Sequence, residues 1–140
     1  MNSCACARYA LARSIRHIII KKYDEILAWK KAINIARLVY AETKKQPLVR
    51  DFGLCNQMRR AAVSIGSNIA EGFERGSVKE FIRFIYIAKG SAGELRTQII
   101  IAKLDNSVSQ KSADDVLNEI EHTLCLIGSF IVYLKKRVNS

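Results

Sequence analysis

Apolar residues recur at alternating intervals of three and four in four successive segments of this chain. That rhythm fits helices whose apolar stripes face a shared core and packs badly as strands. The first segment carries it at Ile26, Trp29, Ile33, Ala36 and Tyr40, and the second at Leu54, Met58, Ala61, Ile65, Asn68 and Gly72. The third runs Phe81, Phe84, Ala88, Ser91, Leu95, Ile99, Ala102, and the fourth Leu117, Ile120, Leu124, Ile127, Ile131, Leu134. A spacing near 3.5 is that of helices packed almost parallel to one another. One proline and seven glycines in 140 residues leave too few turn formers for a many-stranded fold.

The breaks between stripes carry helix-end chemistry. Pro47 disfavours helical geometry at Gln46 and closes the first segment. Asp51 or a neighbour opens the second. Gly76 suits the left-handed residue after a helix, and Ser77 with Glu80 reads as a reciprocal capping box. Asp105, Asn106 and Ser107 end the third helix, and Ser112 with Asp115 can cap the fourth. Short connections make neighbours antiparallel, so the expected fold is all-α, an antiparallel up-down-up-down four-helix bundle. Residues 23–138 form that domain, and residues 1–22 are expected to be an extension outside it.

Charge is the strongest functional hint in the composition. The chain holds 23 Lys+Arg against 13 Asp+Glu, a net charge of +10. Residues 1–22 have Arg8, Arg13, Arg16, Lys21 and Lys22 and no acid, which weakly resembles an organellar transit peptide. The plainer reading is an extension. A basic body favours polyanions, because neutralised phosphates release counterions. The bases on the second and third helices are Arg59, Arg60, Arg75, Lys79, Arg83, Lys89, Arg96 and Lys103, and Lys135, Lys136 and Arg137 form a basic tail. The plain alternative is a solvated face with pairs four residues apart. No base-reading module is visible, so binding is expected to be phosphate-led, salt-sensitive and weak in sequence preference.

Other chemistries lack their parts. The stretch "SIGSNIAEGFERGS" (64–77) is glycine-rich, but no lysine follows Gly66 or Gly72 and no strand precedes them, so it is not a phosphate loop. Its small residues, with the Gly90–Ser91–Ala92–Gly93 patch on the third helix, suit a close helix crossing instead. Asn68 and Glu71 are expected to be buried and bonded there. The only histidines are His17 and His122, so a di-iron set built on Glu119 and His122 is incomplete, and no catalytic triad can be assembled. Cys4, Cys6, Cys55 and Cys125 show no metal-clamp or disulfide spacing. Cys55 and Cys125 are expected to pack as small hydrophobes in a reducing, cytoplasmic setting. No run reaches the roughly 20 apolar residues that span a bilayer. No enzyme, cofactor, metal or membrane role is expected.

The stretches "LAWKKAINIARLVY" (27–40), "QMRRAAVSIGSNIAEGFERGS" (57–77) and "FIRFIYIAKGSAGELRTQIIIA" (81–102) closely resemble the 23S ribosomal RNA intervening-sequence proteins, also called four helix bundle proteins. The resemblance covers about residues 23–134, and the block from Ser64 to Gly72 is its specific part. It implies a bacterial, barrel-shaped homopentamer of four-helix bundles. It also implies kinship with the accessory protein of diversity-generating retroelements, which binds nucleic acid and a reverse transcriptase through a basic surface. A reverse transcriptase or another protein is therefore an implied partner beside RNA or DNA. Carried over by residue, the resemblance covers Arg59, Arg60, Arg75 and the structural positions Ser64, Asn68, Glu71, Gly72, Gly90, Ser91 and Glu94. Members often carry proline or alanine where Gly66 stands, and they usually begin near Tyr23. The competing expectation is an oligomeric scaffold or protein-interaction module that binds no nucleic acid.

Overall fold

The structure, a computed structural model, describes residues 20–140. Most of the expected extension therefore lies outside the described residues, with Cys4, Cys6 and His17. Four long helices follow in order: α1 (Leu27–Glu42), α2 (Phe52–Glu74), α3 (Val78–Leu104) and α4 (Gln110–Val138), with short 3-10 turns at Tyr23–Glu25 and Leu48–Arg50. Among the described residues there is no strand. The fold is all-α, with four helices round one core.

Local chemistry sets the ends. Asp51 caps α2 by accepting the Leu54 amide at 2.9 Å. Gly76 follows α2 with φ +73°, the left-handed conformation that closes a helix. Asn106 takes the same role after α3 at φ 57°. The Ser107 amide there reaches back to the Ala102 carbonyl at 2.9 Å and the Asn106 amide to Lys103 at 3.1 Å, a full Schellman closure.

Three ends differ from expectation. Helix α1 stops at Glu42, before Pro47, where the Thr43 hydroxyl donates to the Val39 carbonyl at 2.8 Å. Ser77 accepts the Glu80 amide at 3.5 Å, but the Glu80 carboxylate faces Arg83 at 3.6 Å instead of completing the box. Ser109, not Ser112, caps α4 and accepts the Ser112 amide at 3.1 Å.

The core faces follow the stripes on three helices of four. All seven α3 positions of the stripe are buried, from Phe81 to Ala102. On α2, Met58, Ala61, Ile65 and Gly72 are buried, joined by Cys55, Ala62, Gly66 and Ile69. On α4, Ile120, Ile127, Ile131 and Leu134 are buried, with Val116, Leu126 and Phe130 beside them. Helix α1 is turned relative to the expected stripe. Its buried residues are Ala28, Ala32, Ile35 and Val39, while Ile33 and Tyr40 are 47% and 41% exposed. Two alanines on the inner face let α2 come close: a Cβ on Gly66 would sit 3.6 Å from the Ala32 Cβ, and α2 stays helical through that glycine. Each fully buried Ile or Leu contributes about 1.5–3 kcal/mol, so the core rests on Ile35, Ile65, Ile69, Ile85, Leu95, Ile99, Ile120 and Ile127.

Specific pairs tie the helices together. Arg59 on α2 meets Tyr40 and Thr43, and Gly66 meets Ile33 and Ala32. Ser64 meets Ser91, and Gly72 meets Phe84 and Phe81. Arg96 pairs with Glu121, Lys103 with Asp114 and Tyr86 with Lys135. Lys31 and Asn34 of α1 both reach Glu119 of α4. Ile20 and Tyr23 pack against the core from the N-terminal side.

By length and composition alone α4 could cross a bilayer, but its apolar residues at 116, 120, 127, 131 and 134 are buried against the other helices. Cys55 is a free, buried thiol, and burial pushes its pKa up. Cys125 departs from the expected thiol packing because it is disulfide-bonded.

Candidate nucleic-acid interface

The expected structural block divides in two. Ser64, Ser91 and Asn68 form a polar knot between α2 and α3. The two serine hydroxyls lie 2.9 Å apart, and Asn68 Nδ2 donates at 2.8 Å to both the Ser64 carbonyl and its hydroxyl. Asn68 is half-buried rather than buried. Gly72 is buried at the closest crossing, where a Cβ would lie 2.6 Å from the Phe84 Cβ and 2.9 Å from the Phe81 ring. The other positions turn outward. Glu71 is exposed and pairs with Arg75 at 2.7 Å, correcting the expectation that it is buried. Glu94 and Gly90 are also exposed, and a Cβ on Gly90 meets nothing within 4 Å. The helical twist explains both: Ser91 and Leu95 take the inner face of α3, so their neighbours Gly90 and Glu94 fall outside it.

The expected phosphate ligands also separate. Arg59 is half-buried, donating Nε to the Thr43 hydroxyl at 2.8 Å and lying 5.0 Å over the Tyr40 ring, so it clamps α1 to α2. Arg96 and Lys103 pair across to α4 with Glu121 and Asp114. Arg60 is exposed on α2. His122 is exposed on α4, and among the described residues no three His, Cys, Asp or Glu side chains gather as metal ligands.

Arg75 and Arg83 do come together, at the junction of α2 and α3. The Arg75 and Arg83 guanidinium groups lie over the same Phe84 ring, at 5.1 Å and 5.9 Å. Lys79 and Lys135 line one cavity of about 300 Å³, with Ile82, Val138 and Asn139. Lys135 donates to the Tyr86 hydroxyl at 2.9 Å and lies 5.4 Å over its ring. Four residues from Tyr133, Arg137 repeats this pairing, bonding its hydroxyl at 3.0 Å. The Lys135 bond, with weaker fields from Lys135 and Lys89, holds the Tyr86 pKa below its ordinary value. The result is a basic end with aromatic rings between the cations. Of the acids there, Glu71, Glu74 and Glu80, the first and last form exposed pairs with Arg75 and Arg83, weak enough for an incoming phosphate to displace them.

Sequence reasoning grouped Lys135 and Arg137 only as a tail and passed over Tyr86 and Tyr133. The Tyr133–Arg137 spacing of four was visible in the sequence. The Tyr86–Lys135 contact joins residues 49 apart and carries no local signal.

The sequence model of the 23S rRNA-intervening sequence proteins matches residues 24–129. The chain belongs to that family. Among solved structures, one similar fold is a Bacteroides thetaiotaomicron protein of unknown function from the S23 ribosomal protein family, at TM-score 0.68 and 23% identity. The match covers 75% of this chain and 98% of that one, and at that identity it speaks for the shared fold alone. No curated protein matches the chain significantly. The block 64–72 lies in the α2–α3 crossing, and the basic end is to be read from its own geometry.

Proposed function

We propose that this protein is a non-enzymatic nucleic-acid-binding protein whose basic end meets phosphates with little sequence preference. One observation carries the reading. Lys79 in the first turn of α3 and Lys135 near the end of α4 share one cavity, and two arginines at the α2–α3 junction share the Phe84 ring. Cations held on aromatic faces present charge at low conformational cost and suit polyanions. The opposed numbering of the interhelical pairs supports an up-down-up-down course of the helices over residues 23–138.

A ring-forming homo-oligomer, a pentamer by family resemblance, would repeat the patch and raise avidity without new contacts. Apolar surface left open supports self-association: Phe52 and Leu104 are 80% and 77% exposed, with Ile101 on the same outer side of α3. The same surface favours the second reading, a scaffold for a protein such as a reverse transcriptase.

Binding of RNA and of DNA at two salt concentrations separates the readings, with Lys79→Glu and Arg83→Glu alongside and sedimentation of the free protein. Loss of binding in both variants and a steep salt dependence are expected. Binding absent at low salt, or indifferent to both reversals, leaves the scaffold reading. A monomer in sedimentation removes the ring.

A further inference from the structure

We infer that the cavity between the first turns of α3 and the last turns of α4 accepts one nucleotide of a single strand, so that the protein prefers single-stranded nucleic acid to duplex. The inference rests on the reading that this end meets polyanions, and it adds what the cavity itself recognises.

The cavity is amphipathic. Lys79 and Lys135 give its lining charge, Ile82 and Val138 give it apolar surface, and Asn139 completes it. A site for bare phosphate would not need the apolar wall, and a site for an apolar ligand would not need two ammonium groups. A nucleotide has both halves: a phosphate for the lysines and a base for the apolar side. At about 300 Å³ the space is at the small end of ligand sites, suited to one nucleotide rather than a folded segment. Lys135 is fixed by its bond to the Tyr86 hydroxyl at 2.9 Å, which keeps the ammonium at the wall. The Tyr86 ring is itself 44% exposed next to it and offers a face for the neighbouring base.

Duplex nucleic acid presents its phosphates but keeps its bases paired and stacked. Bringing one into the cavity requires unstacking and unpairing, whereas a single strand offers its bases freely. The lysines should therefore serve both forms, and the cavity only one.

The test is fluorescence anisotropy of a labelled mixed-sequence oligonucleotide, single-stranded or annealed to its complement, at one low salt concentration. The wild-type protein is expected to favour the single strand by about tenfold. Ile82→Trp and Val138→Trp fill the apolar half and should bring that ratio close to one. Lys79→Ala should weaken both forms and leave the ratio standing. Val138 is exposed in the last turn of α4, so its variant folds even where Ile82→Trp does not. Equal affinity of the wild-type protein for the two forms, or a ratio that survives Val138→Trp, overturns the inference while polyanion binding stands. No binding of either form removes the polyanion reading, and this inference with it.

Discussion

Gly72 of α2 and Phe84 of α3 approach so closely that a Cβ built on the glycine would lie 2.6 Å from the Cβ of the phenylalanine. The Phe81 ring closes the same space at 2.9 Å, and both partners are fixed in the core. Gly72→Ala should therefore force the two helices apart and cost about 1–3 kcal/mol, despite alanine's better helix propensity. Gly90→Ala is the control. Its Cβ meets nothing within 4 Å, so it should be neutral or add about 0.5–1 kcal/mol. The denaturant midpoint should fall for Gly72→Ala and hold or rise for Gly90→Ala.

That contrast also marks what could be read from the residues alone. The two small patches were legible as a helix crossing, but the sequence could not say which glycine lies inside it. On α3 the large residues of the stripe coincide with the inner face, and every stripe position is buried. On α1, Ile33 and Tyr40 are large stripe residues that end up exposed, while Ala28, Ala32, Ile35 and Val39 hold the inner face. Helix α1 is apolar around most of its surface, so spacing alone could not fix its rotation. Among the bases, Arg75, Lys79 and Arg83 were within reach of sequence reasoning because they are close along the chain. Lys135 was not, because only the packing of α4 on α3 brings it to Lys79.

The hydroxyls of Ser64 and Ser91 lie 2.9 Å apart across the crossing, and Asn68 adds a bond to the first of them. Ser64→Ala and Ser91→Ala should each cost about 0.5–1.5 kcal/mol, because each leaves a partner unsatisfied in a half-buried site. The double variant should cost less than the sum, with a coupling of at least about 0.5 kcal/mol. Strict additivity in urea unfolding would mean that the two hydroxyls do not bond.

Arg59 should behave as a stability residue. Its Nε–H to the Thr43 hydroxyl and its stacking over Tyr40 both join α1 to α2. Arg59→Met keeps much of the side-chain volume and removes both interactions, with an expected loss of about 1–2 kcal/mol. Its affinity for oligonucleotides, measured on folded protein, should stay within about twofold of wild type, while Arg83→Glu shows the reverse pattern with stability kept and binding lost.

Tyr86 should ionise below the ordinary tyrosine range, because the Lys135 ammonium that donates to its oxygen favours the phenolate. A phenol whose folded pKa is depressed adds stability where it is ionised. The gain is complete above the unfolded pKa of about 10 and disappears as pH falls through the lower folded value. The stability difference between wild type and Lys135→Met should therefore widen as pH rises from neutral toward 10. Ultraviolet difference titration against Tyr86→Phe isolates this residue from the other tyrosines. In Lys135→Met its midpoint should move up toward the ordinary range, and an unchanged midpoint would show that the Lys135 bond is not what lowers it.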